Sequence, residues 1–316
     1  METPAHSCIS VVVLTYNRRE NLQELLDGLL VLSDSLREVI VVDNCSADGT
    51  AEMVAAKYPG FQCIRTARNE GVSARNHGVA AATSEVVVTL DDDLLGLSHA
   101  HLDWLSRQFA ENPHLGALNF HVVDFFTGFT CNWVHHRPAE QSQTRFLTYE
   151  ITEGAVAVRR DAFLEAGGYC AEFFISHEGP DLAYRLMNAG FTVEYDGRVS
   201  LLHKHAQGSR DPWRFYYYDT RNHVWLAVRN MPWTYALGYL ARGLGAMAFY
   251  ALRDGYFVWW AQGVRDATTA LPKMCATRSR WTPRTRQMCR EIDSHRPGFW
   301  SLVRQRISRG GYRLDA

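Results

Sequence analysis

Three short runs of β-forming residues, each stopping abruptly in polar side chains, constrain this chain more than any other feature. Ile9-Ser10-Val11-Val12-Val13-Leu14-Thr15 is almost continuously apolar, the pattern of a strand buried on both faces of a parallel sheet. Glu38-Val39-Ile40-Val41-Val42-Asp43 repeats the pattern, and Glu85-Val86-Val87-Val88-Thr89-Leu90 repeats it again before running into Asp91-Asp92-Asp93. Residues 21–30 have helical spacing between the first two runs. Further helices are expected over residues 50–57, after the Asp48-Gly49 turn, and near 71–82. Strand and helix alternating in this way read as βαβ units, an α/β fold whose mostly parallel sheet is flanked by helices. The loops that follow such strands share the sheet's carboxyl edge, where open α/β folds bind ligands.

The three aspartates are hard oxygen ligands on that edge. A divalent cation held there, Mg2+ or Mn2+, could neutralise a diphosphate, because these ions are held by one or two carboxylates together with the substrate's own phosphate oxygens. The plainer reading is a solvated acidic turn capping the next helix.

The 316 residues suffice for one large α/β domain with an extension, or for two domains. Net charge is −1, but unevenly spread. From Lys273 onward there are 11 Lys and Arg against 3 Asp and Glu, leaving 22 against 31 before it. A basic tail suggests an anionic surface or ligand, although a solvated helical face also explains such a run. Seven scattered cysteines without a CxxC pair argue against both a disulfide framework and a zinc site. No basic segment followed by an apolar stretch opens the chain, so a cytoplasmic protein is expected.

Residues 113–136 are less regular, with strands and substrate-facing loops expected. Helical signals return at 160–166 and after Pro180. From about Phe215 the composition turns to aromatic-rich helices, in which Arg242, Arg253 and Asp254 interrupt every apolar stretch, so a membrane-spanning helix is not expected. These helices either lie at a bilayer surface, on the inner face of the plasma membrane, or pack on the preceding domain with their aromatics inward.

Four segments meet at the strand ends: Thr15-Tyr16-Asn17-Arg18, Asp43-Asn44-Cys45-Ser46-Ala47-Asp48-Gly49-Thr50, Asn69-Glu70-Gly71-Val72-Ser73-Ala74-Arg75-Asn76 and Asp91-Asp92-Asp93. Glu153-Gly154-Ala155 and Gly167-Gly168-Tyr169 come later, then His177-Glu178-Gly179-Pro180-Asp181. In this order the chain from Ile9 to Asn222 resembles the inverting, nucleotide-sugar-dependent glycosyltransferases of family 2, with the GT-A fold. No GxGxxG follows the first strand and no GxxxxGK[ST] occurs, which weakens dinucleotide and P-loop readings. His177-Glu178 does not open a zinc-protease HExxH motif, since position 181 is Asp.

The resemblance implies a GT-A catalytic domain over 1–215, with a nucleotide-sugar half at about 1–95 and an acceptor half at about 96–215. A helical, basic and aromatic extension would occupy 216–316. It implies donor contacts from Thr15, Tyr16, Asn17, Arg18, Asp43, Ser46, Asn69, Gly71 and Arg75. Thr15 and Asp43 would meet the nucleotide base, and a buried Asp43 carboxylate would reject any base lacking the matching donor. An Asx-type turn over residues 43–46 is compatible with that role. Arg75 would reach the diphosphate with its fork of donors. Asp91 and Asp92 fall to ribose or metal, Asp93 to the metal as principal ligand. Gly154 would let the backbone approach sugar or acceptor closely.

Glu178 is the expected general base, taking the proton of an acceptor hydroxyl as that oxygen attacks the anomeric carbon. Pro180 at the first helical position would put Glu178 in the loop just ahead of a helix amino terminus, which favours its anion. The family motif carries a second acidic residue where this chain has Gly179. Asp181 is therefore a competing base, although an ion pair with Arg185 one turn on explains it as well. His203 and His205 alternate after a probable strand, and the resemblance makes His203 a metal or diphosphate contact. Lys204, Arg210 and Arg214 offer further phosphate partners. Arg221-Asn222 matches a recurrent family position without an evident physical role.

The implied partners are a nucleoside diphosphate sugar and a saccharide, lipid-linked or small-molecule acceptor, with peripheral membrane contact through the C-terminal region and no nucleic acid. A sugar nucleotidyltransferase and a non-catalytic nucleotide-sugar-binding protein are the competing readings. The first would attack a phosphate and release pyrophosphate; the second is prompted by Gly179.

Overall fold

A computed structural model describes residues 9–131, 133–204 and 211–296. His205 and Arg210 lie outside the described residues. The strands are β1 (Ile9–Thr15), β2 (Glu38–Asp43), β3 (Gln62–Arg65), β4 (Val86–Asp91), β5 (Leu94–Leu95), β6 (Leu115–Asp124), β7 (Arg145–Leu147), β8 (Ala155–Arg159) and β9 (Thr192–His203). The helices are α1 (Arg19–Val31), α2 (Thr50–Lys57), α3 (Arg75–Ala81), α4 (His99–Glu111), α5 (Arg160–Glu165), α6 (Glu178–Asn188), α7 (Pro212–Asn230), α8 (Trp233–Arg253), α9 (Phe257–Thr269), α10 (Leu271–Ala276) and α11 (Pro283–Ser294).

The strands build one mixed sheet in the order β3-β2-β1-β4-β8-β6-β9-β5, with β7 paired to β9. The first four in that order are parallel, and β8 joins β4 antiparallel. From β1 the chain builds outward to β2 and β3, then returns to the other side of β1 with β4. The order reverses between β1 and β4, and such a switch point opens a crevice at the carboxyl ends of the strands. There Leu14 is paired with Asp91, and Thr15 with Asp43.

Alternation along the strands divides the apolar side chains between two cores. Val11, Val13, Val39, Val41, Val86 and Val88 pack with α1, α2 and α4 on one face. Val12, Ile40, Val42, Val87, Val156 and Val158 pack with α3, α5 and α6 on the other. Such strands carry apolar residues on both faces, which is why they read as continuous runs. Gly78 lets α3 approach the sheet closely, since a Cβ there would lie 2.4 Å from Val12 Cγ1 and 2.9 Å from Val42 Cγ2.

Two expectations change and one holds. The segment 71–82 divides into a 3-10 turn, Gly71–Ala74, and α3. β4 ends at Asp91, as the run of β-formers into the aspartates implies. α6 begins at Glu178, with His177 as its cap in the left-handed region, so Glu178 is the first residue of the helix rather than part of the loop before it.

The aromatic-rich region is helical. Tyr216, Trp225 and Trp281 are buried, Trp213 stacks on Trp259 with ring centres 4.4 Å apart, and Tyr216 stacks on Tyr256 at 5.0 Å. Trp233, Leu237, Phe249 and Leu252 of α8 face outward. No helix among the described residues is long and apolar enough to cross a membrane.

Candidate active site

Two clusters form on the carboxyl edge. In the first, the loop after β1 is tied to the turn after β4. Thr15 Oγ1 donates to Asp92 Oδ2 at 2.8 Å, and Arg18 Nη1 bridges Asp92 Oδ1, at 3.3 Å, and Asp93 Oδ2. β9 arrives from the far side of the sheet, where Leu94 pairs with His203 and the Lys204 N–H donates to the Asp93 carbonyl at 2.9 Å. This register brings His203 Nε2 to 3.1 Å from Asp93 Oδ1. Burial pushes the Asp92 carboxyl up to about 7, against the pull of Arg18 and with Asp93 and Asp91 adding to the rise. Asp93 lies below the ordinary carboxylate range, because its burial is outweighed by His203 and Arg18.

Asp43 is fully buried at the end of β2. Its Oδ1 accepts the Ser46 N–H at 2.8 Å, closing the expected Asx turn. Its Oδ2 lies 3.5 Å from Arg65 Nε and has no hydrogen-bond partner among the described residues. A buried acceptor left open is what recognition of a base N–H requires. The surrounding loop is held by short side chains. Ser46 Oγ accepts the Asn17 N–H at 2.9 Å, and Asn17 Oδ1 accepts the Ala47 N–H at 2.7 Å. Asn69 Oδ1 accepts from Asn44 Nδ2 and from the Gly71 N–H. Gly71 has φ +64°, and a Cβ there would meet the Phe174 carbonyl at 2.0 Å. Asn17, Ser46, Asn69 and Gly71 thus shape the crevice wall, while Tyr16 is exposed beside it.

The second cluster lies between β4, the turn before β8 and the start of α6. Arg75 is buried and ion-paired with Asp91. The Asp91 N–H donates to the Gly154 carbonyl at 3.1 Å, and a Cβ at Gly154 would lie 2.2 Å from Asp91 Cγ. Thr89 Oγ1 donates to the Glu153 carbonyl at 2.5 Å. Burial pushes the Glu153 carboxyl up to about 7, Arg75 opposing and Asp91 and Glu150 adding. Tyr169 is buried, with a hydroxyl that has no hydrogen-bond partner among the described residues. Burial raises its pKa, and the charges acting on it are those of Glu153, Arg75, Glu178 and Asp91, which shows how closely these groups converge.

Some expected roles meet geometry that constrains them. The Thr15 hydroxyl is engaged by Asp92, which leaves Asp43 as the open acceptor for a base. Asp91, expected among the metal ligands, is ion-paired with Arg75. Asp181 is fully buried and both its oxygens are occupied, Oδ1 by Arg229 Nε and Asn230 Nδ2 at 2.8 Å each and Oδ2 by Arg185 Nη2 at 2.7 Å. A carboxylate held by two guanidinium groups is an anchor between α6 and α7 rather than a base that meets an acceptor. Its pKa stays low because Arg185 and Arg229 outweigh burial. Lys204 is paired with Glu24.

Glu153 and Tyr169 stand in sequence motifs that assign them no role, and their signal lies only in the fold. So does that of Arg221 and Asn222. Arg221 Nη2 donates to the carbonyls of Glu172 and Phe173, and Asn222 Nδ2 reaches those of Phe173, Ile175 and Ser176 at 2.9, 2.7 and 2.8 Å. Phe174, Ser176 and His177 all have positive φ, so this strained loop, which delivers Glu178, is held from α7. His177 Nε2 also lies 3.1 Å from Asp219 Oδ1.

No group of three or more His, Cys, Asp or Glu side chains placed to hold a metal occurs among the described residues. Asp93 and His203 offer a carboxylate and an imidazole, donor types that suit a divalent cation sharing its shell with substrate oxygens, and Arg18 already places a positive charge against Asp92 and Asp93.

Residues 10–165 match the model of Glycosyl transferase family 2. An uncharacterized glycosyltransferase of Haemophilus influenzae is 27% identical over 166 residues, 51% of this chain and 55% of the relative, so the match spans about half of that relative's length. The N-acetylglucosaminyl-diphospho-decaprenol L-rhamnosyltransferase of Mycobacterium tuberculosis is 23% identical over 264 residues, 71% of this chain and 86% of the relative. The mannosyltransferase PcManGT of Pyrobaculum calidifontis, in complex with GDP-Man and Mn2+, has a similar fold, with TM-score 0.51 and 21% identity over 84% of this chain and 86% of that one.

Proposed function

Through residues 10–165 the chain belongs to Glycosyl transferase family 2, and on that premise we propose that it moves a sugar from a nucleoside diphosphate donor to an acceptor hydroxyl with inversion. The observation that carries the reading is the convergence, at one switch point, of the open Asp43 acceptor and the Asp93–His203 pair. Asp43 would take the base, and Arg18 would serve the diphosphate from the crevice wall. Asp93 and His203 would hold Mg2+ or Mn2+, which when bound neutralises charge on the departing diphosphate. The acceptor proton falls to a carboxylate at the amino end of α6, where Glu178 and Glu153 meet.

A saccharide or lipid-linked saccharide acceptor suits this reading, since the M. tuberculosis relative is named for a diphospho-decaprenol substrate. The division at residue 215, into a catalytic domain and a helical extension, and a peripheral seat at the cytoplasmic membrane face belong to the same proposal. The exposed Trp233, Leu237, Phe249 and Leu252 support the latter.

Calorimetry with UDP, GDP and their common sugar conjugates, with and without Mn2+, tests the donor site. Release of nucleoside diphosphate across a panel of saccharide and lipid-linked acceptors then tests transfer. Release of pyrophosphate instead would make the protein a nucleotidyltransferase, and persistent donor binding without turnover would make it a binding module.

A further inference from the structure

Gly179 leaves out a side chain where the family motif has a second carboxylate, and the space is not empty. A Cβ at position 179 would lie 2.5 Å from Glu153 Oε1 and 2.2 Å from the Ile151 carbonyl. The Ile151 backbone carbonyl bars a side chain at 179, and the Glu153 carboxylate occupies the space that such a side chain would enter. We infer that Glu153 supplies the carboxylate missing from position 179 and is the general base of the transfer proposed above, on which this assignment rests.

Placement favours this residue. The backbone just after the Glu153 side chain is tied twice to β4, the Glu153 carbonyl by Thr89 Oγ1 and the Gly154 carbonyl by the Asp91 N–H. Its side chain leaves the turn before β8 and ends beside the first turn of α6, whose amino terminus favours an anion. Accessibility points the same way. Glu178 is 3% exposed, whereas Glu153 remains partly exposed, and a base must reach the hydroxyl whose proton it takes. Glu178, buried at the first position of α6, is then not the group that takes the proton.

The step balances within the proposed reaction. The acceptor O–H bond breaks and its proton passes to the Glu153 carboxylate. The freed oxygen pair forms the new bond to the anomeric carbon. The bond from that carbon to the diphosphate oxygen breaks, and its electron pair leaves with the nucleoside diphosphate.

The test measures nucleoside diphosphate release by the full chain with UDP- and GDP-linked sugars, Mn2+ and the acceptor panel, water included. Glu153→Gln should lower kcat by about 10² to 10⁴ while calorimetric affinity for the nucleoside diphosphate is unchanged. Glu153→Ala should be similarly slow, with added formate restoring part of its rate, which a purely structural loss would not allow. Glu178→Gln should lower kcat less than Glu153→Gln. A Glu153→Gln enzyme at wild-type rate, or loss of nucleotide binding in both Glu153 variants, overturns the assignment while leaving the transfer reading intact. Wild-type protein that binds donor and never releases nucleoside diphosphate removes that reading, and the Glu153 assignment with it.

Discussion

His203 Nε2 lies 3.1 Å from Asp93 Oδ1, joining the last strand of the sheet to the turn that follows β4. The two residues are 110 positions apart, and only the antiparallel pairing of Leu94 with His203 sets them face to face. A carboxylate and an imidazole so placed, on an edge already carrying Asp92, are the pair that the proposed function assigns to the divalent cation.

Removing either ligand should therefore weaken the cation before it weakens the nucleotide. Asp93→Ala and His203→Ala are expected to lower Mn2+ affinity at least about tenfold in the presence of UDP or GDP, measured by calorimetric titration of the metal. Asp91→Ala should change it less, because Asp91 faces Arg75. Equal Mn2+ affinity in Asp93→Ala and the wild type would remove this pair from the metal site.

The half-buried His177–Asp219 pair sets a dependence of stability on pH. Burial alone would lower the His177 pKa, but Asp219 outweighs it and raises it above the ordinary 6.5. Asp219 is held below its ordinary 3.8, His177 outweighing burial in turn. A raised histidine stabilises fully below pH 6.5 and loses that contribution as pH climbs through its folded value. A depressed aspartate stabilises above pH 3.8 and loses its share as pH falls through its folded value. His223, pushed down to about 4 by burial and by His177, works in the opposite sense to His177, withdrawing stability as pH falls from 6.5 towards 4. The local contribution peaks near pH 6.5. Urea midpoints between pH 6.5 and 9 should fall more steeply for the wild type than for Asp219→Asn, and parallel curves would show that the pair does not titrate with folding.

The sheet was readable because its first three long strands are buried on both faces, so their residues show as continuous apolar runs. The strands that build the antiparallel half gave less. β8 is five residues behind a Gly-containing turn, and β7 has only three. The first cluster of the site was legible for the same reason as the sheet, since each part follows a strand directly. The second was not. Glu153 acquires meaning only from the missing side chain of Gly179, and Asp181 reads as a candidate base until Arg229 and Asn230, some fifty residues on, are seen to close around it. Position along a strand can be read from periodicity; the partner of a buried charge cannot.

That closed shell makes Asp181 a stability residue. Asp181→Ala leaves Arg185 and Arg229 without their common carboxylate in a buried site, a change that costs about 3–5 kcal/mol. Chemical denaturation should show the loss as a lower midpoint. An Asp181→Asn variant with native stability and no turnover would instead return Asp181 to catalysis.

Asn222 supports the chemistry from a distance. Its amide reaches three carbonyls of the segment from Phe173 to Ser176, a stretch with two left-handed non-glycine residues and His177 as a third immediately after. Such backbone is unfavourable by about 1–3 kcal/mol per residue and persists only where its surroundings hold it. Asn222→Ala removes the donors and leaves buried acceptors open, a loss of about 1–3 kcal/mol. Because α6 starts where this loop ends, relaxation of the loop shifts Glu178 and the neighbouring Glu153 carboxylate, whereas Asp43, Asp93 and His203 stand on other elements. Asn222→Ala should therefore lower kcat for sugar transfer while nucleotide and Mn2+ affinities hold. A variant that loses donor affinity and kcat together would mean that the loop supports the donor half of the crevice as well.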